Sequence, residues 1–205
     1  AVLEILASSI GSLTNPLKLS NTFRSVANLP IADKTVSNYL ACLEDAFLVD
    51  KAKRYDVKGK KYLSTPSKYY FTDLGLRNAT LNFRQQEENH IMENVIYLEL
   101  LKRGFSVDVG IVETSKRNAD GKIVRNYAEV DFIANRGNNK FYIQSAFAMD
   151  TEEKQAQEKN SLLNIKDFFK KIIVVKDDIK RKRDENGIAT MSIYDFLLDE
   201  DSIEY

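Results

Sequence analysis

"AEVDFIANRGNNKFYIQSAF", residues 128–147, decides how the second half of this chain is read. Two runs rich in β-branched and aromatic residues flank a Gly/Asn-rich break at Gly137 and Asn138, which predicts two strands joined by a tight turn. Side chains alternate along a strand, so Glu129 and Asp131 are expected on one face and Val130 and Phe132 on the other. Gln144 and Ala146 are expected to share one face of the partner strand. Paired acids on such a hairpin suit phosphodiester cleavage, in which carboxylates hold Mg²⁺ and the ion generates a hydroxide nucleophile.

The flanking segments supply the rest of a layered domain. Upstream, "ENHIMENVIYLELLKRG" (88–104) has helical spacing and Gly104 as its stop, and it places Glu93 where it can approach the acids. "FSVDVGIVE" (105–113) reads as a strand and "TSKRNADGKIVRN" (114–126) as a polar excursion. Downstream, "DTEEKQAQEKNSLLNI" (150–165) predicts a helix capped by Asp150 or Thr151, with acids in its first turn. "KKIIVVK" (170–176) is a short apolar run of the kind that forms a buried central strand. A charged loop and a last strand with a terminal helix follow. This order predicts a mixed sheet flanked by helices, an α/β core over residues 85–205.

Residues 1–84 follow a different plan. "VLEILASSIG" (2–11) is in helical period. "LSNTFRSVANL" (19–29) predicts a second helix, capped by Ser20 or Asn21, with Phe23, Val26 and Ala27 facing inward. "PIADKTVSNYLACLEDAFLV" (30–49) predicts a third, capped by Asp33, with Val36, Tyr39, Leu40, Leu43 and Phe47 as its apolar stripe. The period then changes to two around "KGKK" (58–61), which predicts a hairpin. Three helices and a basic hairpin make a winged helix-turn-helix, with the third helix in the recognition position. Its exposed opening residues are Lys34, Thr35, Ser37 and Asn38, short polar groups able to reach phosphates or base edges. The wing carries Lys51, Lys53, Arg54, Lys58, Lys60 and Lys61 within eleven residues. Winged helices also dock proteins, and Lys-rich edges deter aggregation, so nucleic acid and protein both stand as partners.

Composition limits the alternatives. Lys+Arg and Asp+Glu balance at 30 each, so any basic surface is local. One cysteine, Cys42, makes no internal disulfide and suits a reducing cytoplasm. One His and one Cys argue against zinc, and His90 has no nucleophile motif near it. No phosphate-binding glycine loop and no membrane-length apolar run occur. The opening "AVLEILASSIG" lacks an initiator Met and suggests a fragment of a longer protein.

With these residues in view, the second half resembles the PD-(D/E)XK nuclease-like fold. The resemblance sets Glu93 on the leading helix and Asp131 in "EVDF", with "IQSAF" as the third element. Gln144 then occupies the slot of the family's second acid and Ala146 that of its lysine. The implied metal ligands are Glu93 and Asp131, with Gln144 beside them and Mg²⁺ as the cofactor. A neutral amide binds a hard cation more weakly than a carboxylate, and Ala146 supplies no amine, so the resemblance implies a weakened or inactive site. The competing structural reading has Gln144 hydrogen-bonded to Asp131 and Glu93 as an inert network.

The whole chain is also similar to the C-terminal region, domain of unknown function 4143, of a prokaryotic AAA+-type ATPase family. "KTVSNYLACLEDAFLV", "KYYFTDLGLRNA", "MENVIYLELLKRG", "EVDFIANRGNNKFYIQ" and "SIYDFLLD" carry that resemblance. It implies an N-terminal ATPase module as partner, with ATP bound only there. Three functions compete at this stage: a binding module for DNA or a partner protein, an Mg²⁺-dependent endonuclease, and a structural or oligomerising domain.

Overall fold

The computed structural model describes residues 2–28, 30–84, 87–117 and 121–204. It is an α/β protein with seven α-helices and an eight-stranded mixed sheet among these residues. The chain falls into two compact units, one of residues 1–54 and 63–94 and the other of residues 55–62 and 95–205.

In the first unit, α1 (Val2–Ser8), α2 (Pro16–Ala27) and α3 (Asp33–Asp45) precede β1 (Val49–Asp56) and β2 (Lys61–Phe71), and α4 (Leu74–Thr80) follows. Leu6, Ile10, Leu19, Phe23, Val36, Leu40, Val49 and Phe71 make one apolar core. The second helix starts four residues before its expected cap. Asn15 Oδ1 accepts from Lys18 N at 2.7 Å and Pro16 fills the first helical position, a cap-and-proline start. Phe23 is buried, but Val26 is 78% exposed, and the side chain of Ala27 lies outside the described residues. Ala32, with no side-chain bond, caps α3, and Asp33 is its first helical residue.

The α3 stripe is narrower than its spacing suggests. Val36 and Leu40 are buried, Tyr39 is 48% exposed and Phe47 is 80% exposed. The helix ends at Asp45, Leu48 N donates to Leu43 O at 3.0 Å, and Phe47 adopts φ 55°. This is the Schellman closure, and its left-handed residue points out of the stripe.

The second unit takes the hairpin tip, residues 55–62, together with the remainder of α5 (Glu88–Lys102) from Val95 onward. It continues with β3 (Ser106–Arg117), β4 (Ile123–Arg136), β5 (Asn139–Ala146), α6 (Glu152–Leu163), β6 (Lys170–Val175), β7 (Lys182–Arg183), β8 (Ile188–Ser192) and α7 (Ile193–Leu198). The sheet order is β2-β1-β3-β4-β5-β6-β8-β7. β3, β4 and β5 are antiparallel neighbours, β5, β6 and β8 are parallel, and β7 pairs antiparallel to β8. The apolar run of β6 is central and buried, as its composition requires.

Two features depart from the expected pattern. The segment read as a polar excursion is mostly strand: β3 and β4 stay paired from Glu113↔Tyr127 out to Arg117↔Ile123. The strict alternation expected for 129–132 also breaks. Asp131 and Phe132 lie between the pairs Asp108↔Ile133 and Gly110↔Val130, opposite the single residue Val109, as a β-bulge. Val130 and Ile133 therefore enter one apolar cluster, while Phe132 packs near Tyr97 with ring centroids 6.1 Å apart. Gly110 makes room for this: a Cβ there would lie 3.0 Å from Val130 Cβ and 3.1 Å from Ile133 Cγ1.

Candidate functional site

The exposed end of α3 is the first candidate surface. Lys34, Thr35, Ser37 and Asn38 are all exposed, while Val36 between them and Leu40 beyond are buried in the unit core. The 3.6-residue period produces this division, since burying Val36 and Leu40 turns residues 34, 35, 37 and 38 outward.

The hairpin's basic residues divide between the units. Lys53 and Arg54 belong with the first, and Lys58, Lys60 and Lys61 with the second. The tip is built into the second unit's sheet through Val57 N, which donates to Ile111 O at 3.0 Å. Tyr62 OH donates to Asp108 Oδ2 at 3.0 Å, and the Tyr55 ring meets Tyr62 edge-on at 5.2 Å. Burial, then the bond to Asp108, pushes the Tyr62 hydroxyl above its usual pKa. Lys58 Nζ sits 3.0 Å from Glu113 Oε2, and Arg125 Nε is 3.3 Å from the other oxygen of that carboxylate. Lys60 and Lys61 are exposed, and Arg54 is half-buried.

Glu93 stands in the first unit with its own buried partners. Lys68 Nζ donates to its Oε1 at 2.8 Å and Tyr70 OH to the same oxygen at 2.6 Å. His90 Nδ1 lies 3.8 Å from Oε2, within ion-pair reach but beyond a hydrogen bond. Gly11 closes over the carboxylate, since a Cβ there would stand 3.0 Å from Oε2 and its φ is 71°. Burial opposes ionisation of Glu93, but the Lys68 ammonium, His90 and the Tyr70 hydroxyl outweigh it and hold the carboxyl below its usual range. The same carboxylate raises the pKa of His90 against the opposing effect of burial. Next to it, Asn94 Oδ1 accepts from Phe71 N at 2.8 Å and its Nδ2 donates to Phe71 O at 2.9 Å, tying α5 to β2 by a two-bond bridge.

Asp131 and Gln144 come together in the second unit. The paired register of β4 and β5 ends at Phe132↔Ile143. Past that point Ser145 N donates to Asp131 Oδ2 at 2.9 Å, and Asp131 N donates to Gln144 Oε1 at 3.4 Å. The two side chains thus continue the ladder where the bulge interrupts it. Gln144 Nε2 donates to Glu158 Oε2 of α6 at 3.1 Å. Burial raises the Glu158 pKa and the bond from Gln144 partly offsets it. Ala146 is fully buried in the apolar cluster with Val130, Tyr142 and Ile173, so the lysine slot lies within hydrocarbon. Among the described residues no group of three or more His, Cys, Asp and Glu side chains is arranged to hold a metal ion.

Sequence reading joined Glu93 to Asp131 and Gln144. Within the first unit Glu93 meets Lys68 and Tyr70, and within the second Asp131 meets Gln144. Glu158 was missed. Its one available signal was the turn Gln155, Glu158, Leu162, which sets it on the buried side of α6 beside Leu162.

Comparison with known proteins gives relatives without an assigned activity. A family model described as Domain of unknown function (DUF8612) matches residues 1–87. An uncharacterized protein of Haemophilus influenzae is 37% identical over 97% of this chain and 45% of its own length. An uncharacterized protein of Methanocaldococcus jannaschii is 30% identical over 78% of this chain and 32% of its own length. The chain therefore spans less than half the length of these relatives. No solved structure matches it. These matches correct the resemblance to domain of unknown function 4143 of AAA+-type ATPases: the matching model is a different one, and neither relative is described as an ATPase. Short phrases such as "MENVIYLELLKRG" follow from helix-core spacing and do not separate families. The expected ATPase partner and its ATP rested on that resemblance alone. No helix among the described residues is long and apolar enough to cross a membrane.

Proposed function

We propose that the chain is a nucleic-acid-binding module whose first unit is a winged helix-turn-helix and whose α3 supplies the contact. The observation that carries this is the division of α3. Lys34, Thr35, Ser37 and Asn38 are all exposed around buried Val36 and Leu40. A cation with three short hydrogen-bonding side chains on one helix end suits a phosphate backbone and adjacent base edges. The order of three helices and a hairpin supports the winged-helix assignment. Cys42 is a free, exposed thiol, which fits a reducing cytoplasm.

The second unit is read as a nuclease-like scaffold that does not cut. Its order of helix, three antiparallel strands, helix and parallel strand supports the ancestry. Asp131 accepts a backbone amide of β5, and Gln144 bridges a backbone N–H of β4 to Glu158 of α6, so both side chains carry structural hydrogen bonds. Fluorescence anisotropy of the full chain with a labelled 20-base-pair duplex tests the binding reading. Affinity should fall linearly with salt on a log-log plot, with a slope of about −0.9 per phosphate contacted. Affinity without a salt slope overturns it. Incubating supercoiled plasmid with Mg²⁺ or Mn²⁺ tests the second part: nicking by wild type that Asp131→Ala abolishes would establish an active nuclease.

A further inference from the structure

We propose that the second unit binds a single nucleic-acid strand in a basic groove separate from α3. The groove has a volume of about 420 Å³ and runs between the hairpin tip, the outer part of β3 and the segment after α6. Lys58, Lys60 and Lys166 line it, with the carboxylates of Glu113 and Asp167. Glu113 is already shared between Lys58 and Arg125. Asp167 accepts from Tyr142 OH at 2.5 Å and from Phe169 N at 3.2 Å. Lys60 and Lys166 are exposed and have no acidic partner among the described residues. Three lysines thus line the groove against two carboxylates, and Arg125 reaches one of these from outside it, so the surplus charge is positive. Such a surface attracts polyanions and is not required by the fold.

The outer β3–β4 ribbon adds a second property. Tyr127, Arg125 and Ile123 alternate on one face, where Tyr127 pairs across to Glu113 and Arg125 to Ser115, both residues of the groove. Tyr127 is 69% exposed and the Arg125 side chain 75%. A ribbon of two strands gains little from its own packing, so an aromatic and a cation held outward on it are placed for a ligand. A basic track flanked by an exposed ring is the arrangement that holds a sugar-phosphate strand and stacks a base. The volume lies within the range of small-molecule sites.

The proposal stands apart from the α3 reading, and its test separates the two. Anisotropy is measured for the full chain with a labelled 12-nucleotide single strand and with a duplex. Variants are Lys60→Glu/Lys166→Glu, the milder Lys60→Gln/Lys166→Gln, and Tyr127→Ala, with circular dichroism as the folding control. Charge reversal should weaken single-strand binding at least tenfold, and the glutamine pair should lower the steepness of the salt slope by roughly 1.4, two phosphates' worth. Tyr127→Ala should weaken it about tenfold. Lys34→Ala/Asn38→Ala should weaken duplex binding more than single-strand binding. Unchanged single-strand affinity in the glutamine pair overturns the proposal, as does a polyglutamate peptide that displaces the strand at equal charge, which would make the groove a site for acidic protein segments.

Discussion

The Glu93 cluster of the first unit and the Asp131–Gln144–Glu158 chain of the second use carboxylates in opposite ways. Glu93 is buried against a formal cation, with Lys68 at 2.8 Å and Tyr70 at 2.6 Å on one oxygen. Asp131 Oδ2 accepts the backbone amide of Ser145, and Asp131 N donates to the neutral amide of Gln144. The first is an ion pair inside a unit core, where removing one partner strands a charge. The second continues a strand ladder at a bulge, where removing a partner costs at least a hydrogen bond. An acid on a helix and an acid on a strand look alike in sequence. What separates them is the set of groups each side chain meets, and those groups are distant in the chain.

The largest effect that tests this contrast comes from Lys68→Ala. It leaves the Glu93 carboxylate buried without its ammonium, and it should cost about 3–5 kcal/mol in urea unfolding. The pair replacement Lys68→Met/Glu93→Gln should cost much less. Equal losses for the single and the pair would show that packing, not the charge, governs the site. Asp131→Ala removes the acceptor of the Ser145 amide, a loss of about 1–3 kcal/mol for that bond. Asp131→Asn keeps an acceptor for that amide and should cost less than Asp131→Ala.

The pH response sharpens the difference further. The Glu93 carboxyl is held below its ordinary range in the folded chain. Its contribution is therefore fully present above the unfolded pKa, about 4.3, and is lost as pH falls through the lower folded value. Urea midpoints measured from pH 6 down to pH 3 should drop more for wild type than for Glu93→Gln. Parallel curves would contradict the assignment. Glu158 has the opposite sign, since burial raises its pKa. Its ionisation opposes folding as pH rises through the unfolded and then the folded value. Glu158→Gln keeps an oxygen for Gln144 Nε2 and removes the charge, so at pH 7 it should raise Tm slightly, the smallest of these effects. A fall in Tm would show that the carboxylate itself is needed.

Periodicity made the secondary structure legible where one face is buried. Val36 and Leu40 mark the inner side of α3, and the run of 170–175 marks a central strand. It did not reveal the bulge at Asp131 and Phe132, because one inserted residue changes the face of everything beyond it without changing composition. Gly110 opposite was the single trace, and a strand glycine has several other causes. The outer ribbon around Tyr127 was read as a loop because it is exposed on most of its length and so shows no apolar alternation. Glu93 and Asp131 were legible as acids worth notice. Their partners Lys68 and Ser145 were not, since neither pairing leaves a local pattern.

The central claim is that α3 binds nucleic acid, and Lys34→Ala/Asn38→Ala tests it most directly. Duplex affinity of this variant is measured against wild type by anisotropy at two salt concentrations, with thermal melts to confirm folding. Both residues are exposed, so Tm should stay within about 1 °C of wild type. The account predicts at least a tenfold loss of duplex affinity and a salt slope shallower by about 1. A folded variant that binds duplex as tightly as wild type, with the same slope, would contradict it.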